Sequence, residues 1–213
     1  MSKKKVCIWL HGLGDSGGGW TFLKTLFKDA YPHLSWRFPD APMQPVSLAG
    51  GEAMRSWMDL DGLPVTSRTP EDRNGYESST RLIHELIEKE VGAGYEPSQI
   101  YLGGFSQGGS MSLYAGLKYK APLAGLISFS GWLPQKLWDS ELSKSQILKS
   151  SRVLLVHGTR DSKVLHDRSV AAKNALSTGG VESVVLESFP GDHTFAEESE
   201  EWLANFFRES DEK

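Results

Sequence analysis

The chain has 213 residues, a formal net charge of −4 and 39% apolar residues, the balance of an ordinary soluble globular protein with room for a substantial core in one domain over residues 1–213. That charge gives no sign of a nucleic-acid binder, and no apolar run approaches the roughly 20 residues a membrane-spanning helix needs. Cys7 is the only cysteine, so an intrachain disulfide is excluded; placed mid-strand beside Ile8 and Trp9, it reads as buried filler rather than a reactive thiol.

From the start, Lys3-Lys4-Lys5 followed by the apolar residues 6–10 imitates a signal peptide. The apolar part is too short and runs directly into His11-Gly12-Leu13-Gly14. Ser2 stands where myristoylation needs glycine, and no prenylation box closes the chain. The expected compartment is cytoplasmic, with transient membrane contact through the lysines at most.

Strands are expected at 6–10, 34–38, 100–103, 123–129, 153–156 and 183–189. Most are short continuous apolar runs, as in strands buried on both faces. Helical periodicity lies between them at 76–89, after residue 109, at 164–176 and at 197–207. This alternation predicts an α/β fold with a mostly parallel sheet and helices on both faces. The stretch 40–74, rich in Pro and Gly, reads as a long irregular loop, the kind that carries function beyond the carboxyl ends of strands.

Residues 104–108, Gly-Phe-Ser-Gln-Gly, form a G-x-S-x-G pattern between a strand and a helix. In a chain rich in Gly and Ser the pattern alone is weak, and its setting carries the weight. Such a turn holds Ser106 with its hydroxyl exposed above the sheet, and the next amide, Gln107 N–H, then points at a developing oxyanion. A serine nucleophile needs a histidine base and an orienting acid, in the order Ser, acid, His. Residues 153–161, a strand and turn ending in Asp161, and residues 188–195, a strand end and turn carrying His193, fit that order. Asp161 also suits a turn or helix-capping acid. Asp192 competes for the orienting role, but it adjoins His193. His157 reads as a packing or hydrogen-bonded histidine; His33, His84 and His166 read as surface residues. Residues 10–15 supply the glycine-rich loop from which a second oxyanion donor, Leu13 N–H, would come. The rival reading of that loop, with Ser16-Gly17-Gly18-Gly19 following, is a phosphate-binding loop, but it lacks the Lys-Ser/Thr of a P-loop.

Taken in order, LHGLGD, FPDAPMQPVSLAGG, SWMDL, GGFSQGG, FSGWLP, HGTRD and PGDH run over nearly the whole chain. Together they resemble the acyl-protein thioesterase, or phospholipase/carboxylesterase, family of α/β-hydrolases. The resemblance implies an α/β-hydrolase without a large cap domain, a Ser106–His193–Asp161 triad, and Leu13 and Gln107 as oxyanion donors. It implies no metal and no cofactor. The implied substrates are acyl thioesters of S-palmitoylated proteins, lysophospholipids and small esters, handled by a monomer or weak homodimer. It also implies an apolar loop over an acyl channel, here with Val46, Leu48, Met54, Trp57, Met58, Leu60 and Leu63, facing Trp132 and Leu133. Trp57 and Trp132 suit the core equally well. Relatives usually read Asp-Pro-x-Val-Pro after the triad acid; this chain reads Asp161-Ser162-Lys163-Val164-Leu165. An inward Lys163 would disfavour a long acyl chain; an outward one would change nothing. The rival functions are a short-chain carboxylesterase and a non-catalytic binding module on the same fold.

Overall fold

A computed structural model describes residues 4–144 and 147–208; Lys3, part of the lysine run noted above, lies outside them. Eight strands are described: β1 (Lys5–Leu10), β2 (Leu34–Arg37), β3 (Met43–Val46), β4 (Glu52–Arg55), β5 (Ile100–Phe105), β6 (Gly125–Phe129), β7 (Arg152–Gly158) and β8 (Ser183–Phe189). The helices are α1 (Phe22–Leu26), α2 (Arg73–Gly92), α3 (Gln107–Lys118), α4 (Gln135–Ser140), α5 (Asp167–Thr178) and α6 (Ser199–Arg208). Six strands form one parallel sheet in the order β2-β1-β5-β6-β7-β8.

The pleat explains why the central strands are apolar throughout. Val6, Ile8 and Leu10 face one core with Ile83, Ile87, Met111 and Leu176, while Cys7 and Trp9 face a second with Leu23, Leu203, Phe206 and Phe207. In β7, Val153 and Leu155 join the first core and Leu154 and Val156 the second. Successive side chains point to opposite faces, so a strand covered by helices on both sides can expose none of them. Each Val, Leu or Ile buried in this way contributes about 1.5–3 kcal/mol. Cys7 is fully buried, and burial pushes its thiol far up, so it is inert filler.

Between β1 and β5 the connections leave in opposite directions: β1 leads outward to β2, and the chain returns on the other side to β5. Such a switch point opens a crevice beyond the carboxyl ends of the strands, where α/β sheets bind ligands. The loop holding Leu13 follows β1, and Ser106 follows β5.

Several expectations are corrected. The stretch 40–74 is not irregular throughout: β3 and β4 pair antiparallel, apart from the main sheet. Pro45 within β3 has no N–H to donate, and most of the pair is exposed or half-buried, so neither strand shows an apolar run. The short helices α1 and α4 were not expected. The helix expected from residue 76 begins at Arg73, because the Asp72 side chain caps it by accepting the Gly75 N–H at 3.0 Å. His84 and His166 are half-buried and bonded, to Ala115 O at 2.8 Å and to Ser188 Oγ at 2.9 Å respectively; His33 is exposed.

Candidate active site

Ser106 sits between β5 and α3 with φ 55° and ψ −118°, a backbone that L-residues avoid. Its side chain makes no capping bond, and its N–H is tied to Phe129 O at 2.7 Å. The flanking glycines are required by contact. A Cβ on Gly108 would lie 2.2 Å from Leu10 O, and one on Gly104 would lie 2.4 Å from the Gly108 carbonyl carbon. The strain is therefore held by backbone packed on backbone.

The 10–15 loop runs beside this turn: a Cβ on Gly12 would lie 3.4 Å from Ser106 Cβ. His11, fully buried, shapes the loop. Its Nδ1 lies 2.7 Å from Gly12 O, which can only accept, so Nδ1 carries the hydrogen, and Nε2 accepts Ala41 N–H at 3.0 Å. Burial lowers its proton affinity and keeps it neutral. Trp57 Nε1–H donates to His11 O at 2.9 Å. The buried Gln107 side chain accepts Trp57 N–H at 2.8 Å and donates to Met58 O at 2.6 Å. These bonds lock the two turns together. Neither Leu13 N–H nor Gln107 N–H donates a hydrogen bond within the described residues, so both amides are free to receive an acceptor.

The phosphate-loop alternative fails here. Ser16 N–H is taken by Asp15 Oδ1 at 2.7 Å and Gly17 N–H by Asp40 Oδ1 at 2.8 Å, and two carboxylates repel an anion. Glycine at position 17 serves packing, since a Cβ there would lie 2.0 Å from Phe38 O.

Asp161 follows β7 and His193 follows β8, and they meet: His193 Nδ1 lies 2.7 Å from Asp161 Oδ2. The other oxygen, Oδ1, accepts Lys163 N–H at 2.9 Å and Val164 N–H at 2.8 Å. The carboxylate thus serves a turn with one oxygen and the histidine with the other. It does not cap the next helix, which begins at Asp167 with His166 at the cap position. Burial pushes the Asp161 carboxyl up, but hydrogen bonds from His157, His193 and Val164 N–H outweigh it and hold the group well below the usual carboxylate range. Asp192, the rival acid, accepts Ser162 N–H and His193 N–H at 2.8 Å each, and so fastens the two loops. The His193 ring lies against Phe105, centroids 4.7 Å apart. Among the described residues no hydrogen bond joins His193 to Ser106; such contacts commonly tighten only when substrate is bound.

The residues expected at the acyl channel divide. Leu60, Val65, Trp132 and Val164 form a buried cluster against which Leu13 packs. Leu133 belongs to the larger core, and Trp57, 1% exposed, supports the loops from within. Leu63 is 45% exposed. The Lys163 side chain is exposed, while its carbonyl accepts Val65 N–H at 2.7 Å, part of a bridge between Val65 and Val164. No sequence signal marked this bridge or the roles of His11 and the Gln107 side chain; each depends on contacts distant in sequence.

A parallel sheet with a strained serine between strand and helix, and an acid–histidine pair at the ends of the next strands, is the α/β-hydrolase arrangement. Within that class the chain belongs to the phospholipase/carboxylesterase family, whose model matches residues 1–210. The probable carboxylesterase SOBER1-like of Arabidopsis thaliana is 34% identical over 206 residues, 95% of this chain and 77% of that one. Acyl-protein thioesterase 1 of Schizosaccharomyces pombe is 39% identical over 194 residues, 90% of this chain and 84% of that one. The crystal structure of Arabidopsis thaliana SOBER1 superposes with a TM-score of 0.88 at 31% identity, covering 98% of this chain and 99% of that one. That of Zea mays acyl-protein thioesterase 2 gives 0.83 at 27% identity, covering 99% and 95%.

Proposed function

We propose that this chain is a serine hydrolase of acyl thioesters and esters, acting on S-acylated proteins in the cytosol. Ser106 Oγ attacks the acyl carbonyl as His193 takes its proton. Asp161 orients the imidazole and stabilises its charged form. The Leu13 and Gln107 amides receive the tetrahedral oxyanion. The thiol or alcohol leaves with the proton held by His193, and water then repeats the sequence on the acyl-enzyme. The observation that carries the reading is the coincidence of a strained, uncapped Ser106 with the 2.7 Å His193–Asp161 pair at the ends of β5, β7 and β8. Relatives named acyl-protein thioesterase support the thioester half.

A second reading, a short-chain carboxylesterase, is favoured by one observation. The Leu60–Val65–Trp132–Val164 cluster is closed, and the cavity beside it holds about 30 Å³, room for a water-sized group. That volume is far too small for a palmitoyl chain. The test is kcat/KM for acyl thioesters from acetyl to palmitoyl, with Ser106→Ala as blank. Rates that rise with length support the thioesterase; a peak at short chains supports the carboxylesterase; full activity in Ser106→Ala refutes both.

A further inference from the structure

We infer that His157 is a positioning residue for Asp161: its Nε2–H holds the carboxylate oxygen that faces His193 and shares the charge that would otherwise fall on His193 alone. This rests on the triad reading above. His157 ends β7 and is fully buried. Its Nε2 lies 2.8 Å from Val164 O and 3.2 Å from Asp161 Oδ2. A carbonyl can only accept, so Nε2 carries a hydrogen; it is given to Val164 O, and Asp161 Oδ2 is the second, longer acceptor within reach. Its Nδ1 lies 2.5 Å from the Oγ of Ser169, itself 1% exposed. The other acceptor near that hydroxyl, Gly131 O, is 3.4 Å away, too far to compete well. Ser169 therefore donates to Nδ1.

The result is a buried chain from Ser169 through His157 and Asp161 to His193, with Oδ2 bonded by His193 Nδ1 at 2.7 Å and approached by His157 Nε2 at 3.2 Å. The second imidazole does two things. It fixes Oδ2 in the plane where His193 Nδ1–H finds it, and it withdraws charge from the oxygen that stabilises the His193 imidazolium. Other charged groups around the pair are few. Asp192 accepts the His193 N–H, Arg160 donates to Pro190 O, and the His166 ring stands edge-on to His157 at 5.7 Å. The Ser106 turn and residues 130–131, which lie across from the pair, carry no ionisable side chain.

The test compares His157→Leu, His157→Gln and Ser169→Ala, with rates normalised to sites titrated by a fluorophosphonate. Without the Nε2–H, Asp161 bears more fully on His193, which then binds its proton more tightly, so the acid limb of kcat/KM moves to higher pH. For His157→Leu the expected result is a kcat lower by on the order of tenfold, KM within about twofold, and an acid limb raised by about half a unit. His157→Gln keeps an N–H donor and recovers most of both. Ser169→Ala shifts the limb the same way by less, and supplies the reading if the leucine variant does not fold. Per-site kcat and acid limb unchanged in His157→Leu overturn the inference, as do equal losses in Leu and Gln with an unmoved limb, or an unmoved limb in Ser169→Ala when only that variant folds. Failure of the fluorophosphonate to label Ser106 in the parent enzyme instead removes the triad reading, and this inference with it.

Discussion

At the scale of single residues, the site is built from groups whose neighbours leave them one choice. Ser106 is held at φ 55° because Gly104 and Gly108 let α3 close on the end of β1. Gly108→Ala would set a methyl 2.2 Å from Leu10 O and 2.7 Å from His11 O. Neither oxygen can move without breaking the loop that carries Leu13. The expected cost is about 3 kcal/mol, the upper range for overpacking, or about 6–12 °C in Tm for a chain of this size. Thermal unfolding followed by circular dichroism checks it, and a Tm within about 2 °C of the parent would contradict the packing argument. Asp161 shows the same economy, one oxygen closing its own turn and the other facing His193 Nδ1 at 2.7 Å, with His157 Nε2 3.2 Å away. Strand, turn and chain order mark Ser106, Asp161 and His193 as candidates in the sequence, and the structure pairs His193 with Asp161. His11 and His157 are not so marked, since a histidine after an apolar strand looks the same whether it packs passively or clamps a loop.

At the scale of elements, α2 and α3 are joined at their exposed edge by a charged network. Lys118 Nζ lies 2.5 Å from Glu77 and 3.0 Å from Glu141, and Arg73 also pairs with Glu141. For Glu77, burial pushes the carboxyl up but Lys118 more than offsets it, and the group sits below the usual range. Glu141 is held low chiefly by Lys118. Burial pushes Lys118 down, and the two carboxylates outweigh it, so it sits above its ordinary value. The lowered acids contribute stability that is present above their unfolded values and lost as pH falls through the folded ones. The raised lysine contributes stability that is full below its unfolded value and lost as pH rises. The network therefore acts between about pH 5 and about pH 10. Because these groups are about a quarter to a third exposed, and so partly screened, Lys118→Met should cost only about 1 kcal/mol at pH 7. The gap should narrow by pH 3.5; a gap in urea-unfolding free energy that is constant from pH 7 to pH 3.5 would rule the ionic contribution out. The strands and longer helices were legible from apolar runs and periodicity. The β3–β4 pair and α4 were not, because half-exposed elements carry no such pattern.

At the scale of the whole molecule, sheet order places the site. The reversal at β1 and β5 brings the Leu13 loop beside Ser106, and the parallel run to β7 and β8 brings Asp161 and His193 to the same edge. No helix among the described residues is long and apolar enough to cross a membrane. Val65 N–H on Lys163 O and the Val65–Val164 bridge join two segments about a hundred residues apart. Lys163 is exposed. Lys163→Leu should therefore leave the preferred acyl length unchanged and kcat/KM within about twofold at each length, since a snorkelling lysine adds little inside. A preference displaced by four or more carbons would show that the ammonium guards the channel.

By itself, the sequence determined the α/β class and the strand and helix periods, and offered Ser106, Asp161 and His193, in that order, as candidates. Those depend on local pattern: apolar runs for buried strands, glycines where a turn is tight, and a reactive side chain at each strand end. Only the tertiary structure decided how the Asp161 oxygens are divided, that the Ser16 and Gly17 amides are taken by Asp15 and Asp40, and that Lys163 is exposed. Most of these turn on a hydrogen bond or a close approach that local sequence does not specify, such as His193 on Asp161 and Gly17 on Asp40. Pattern along a sequence records the demand for burial; it does not record which distant partner satisfies a buried polar group.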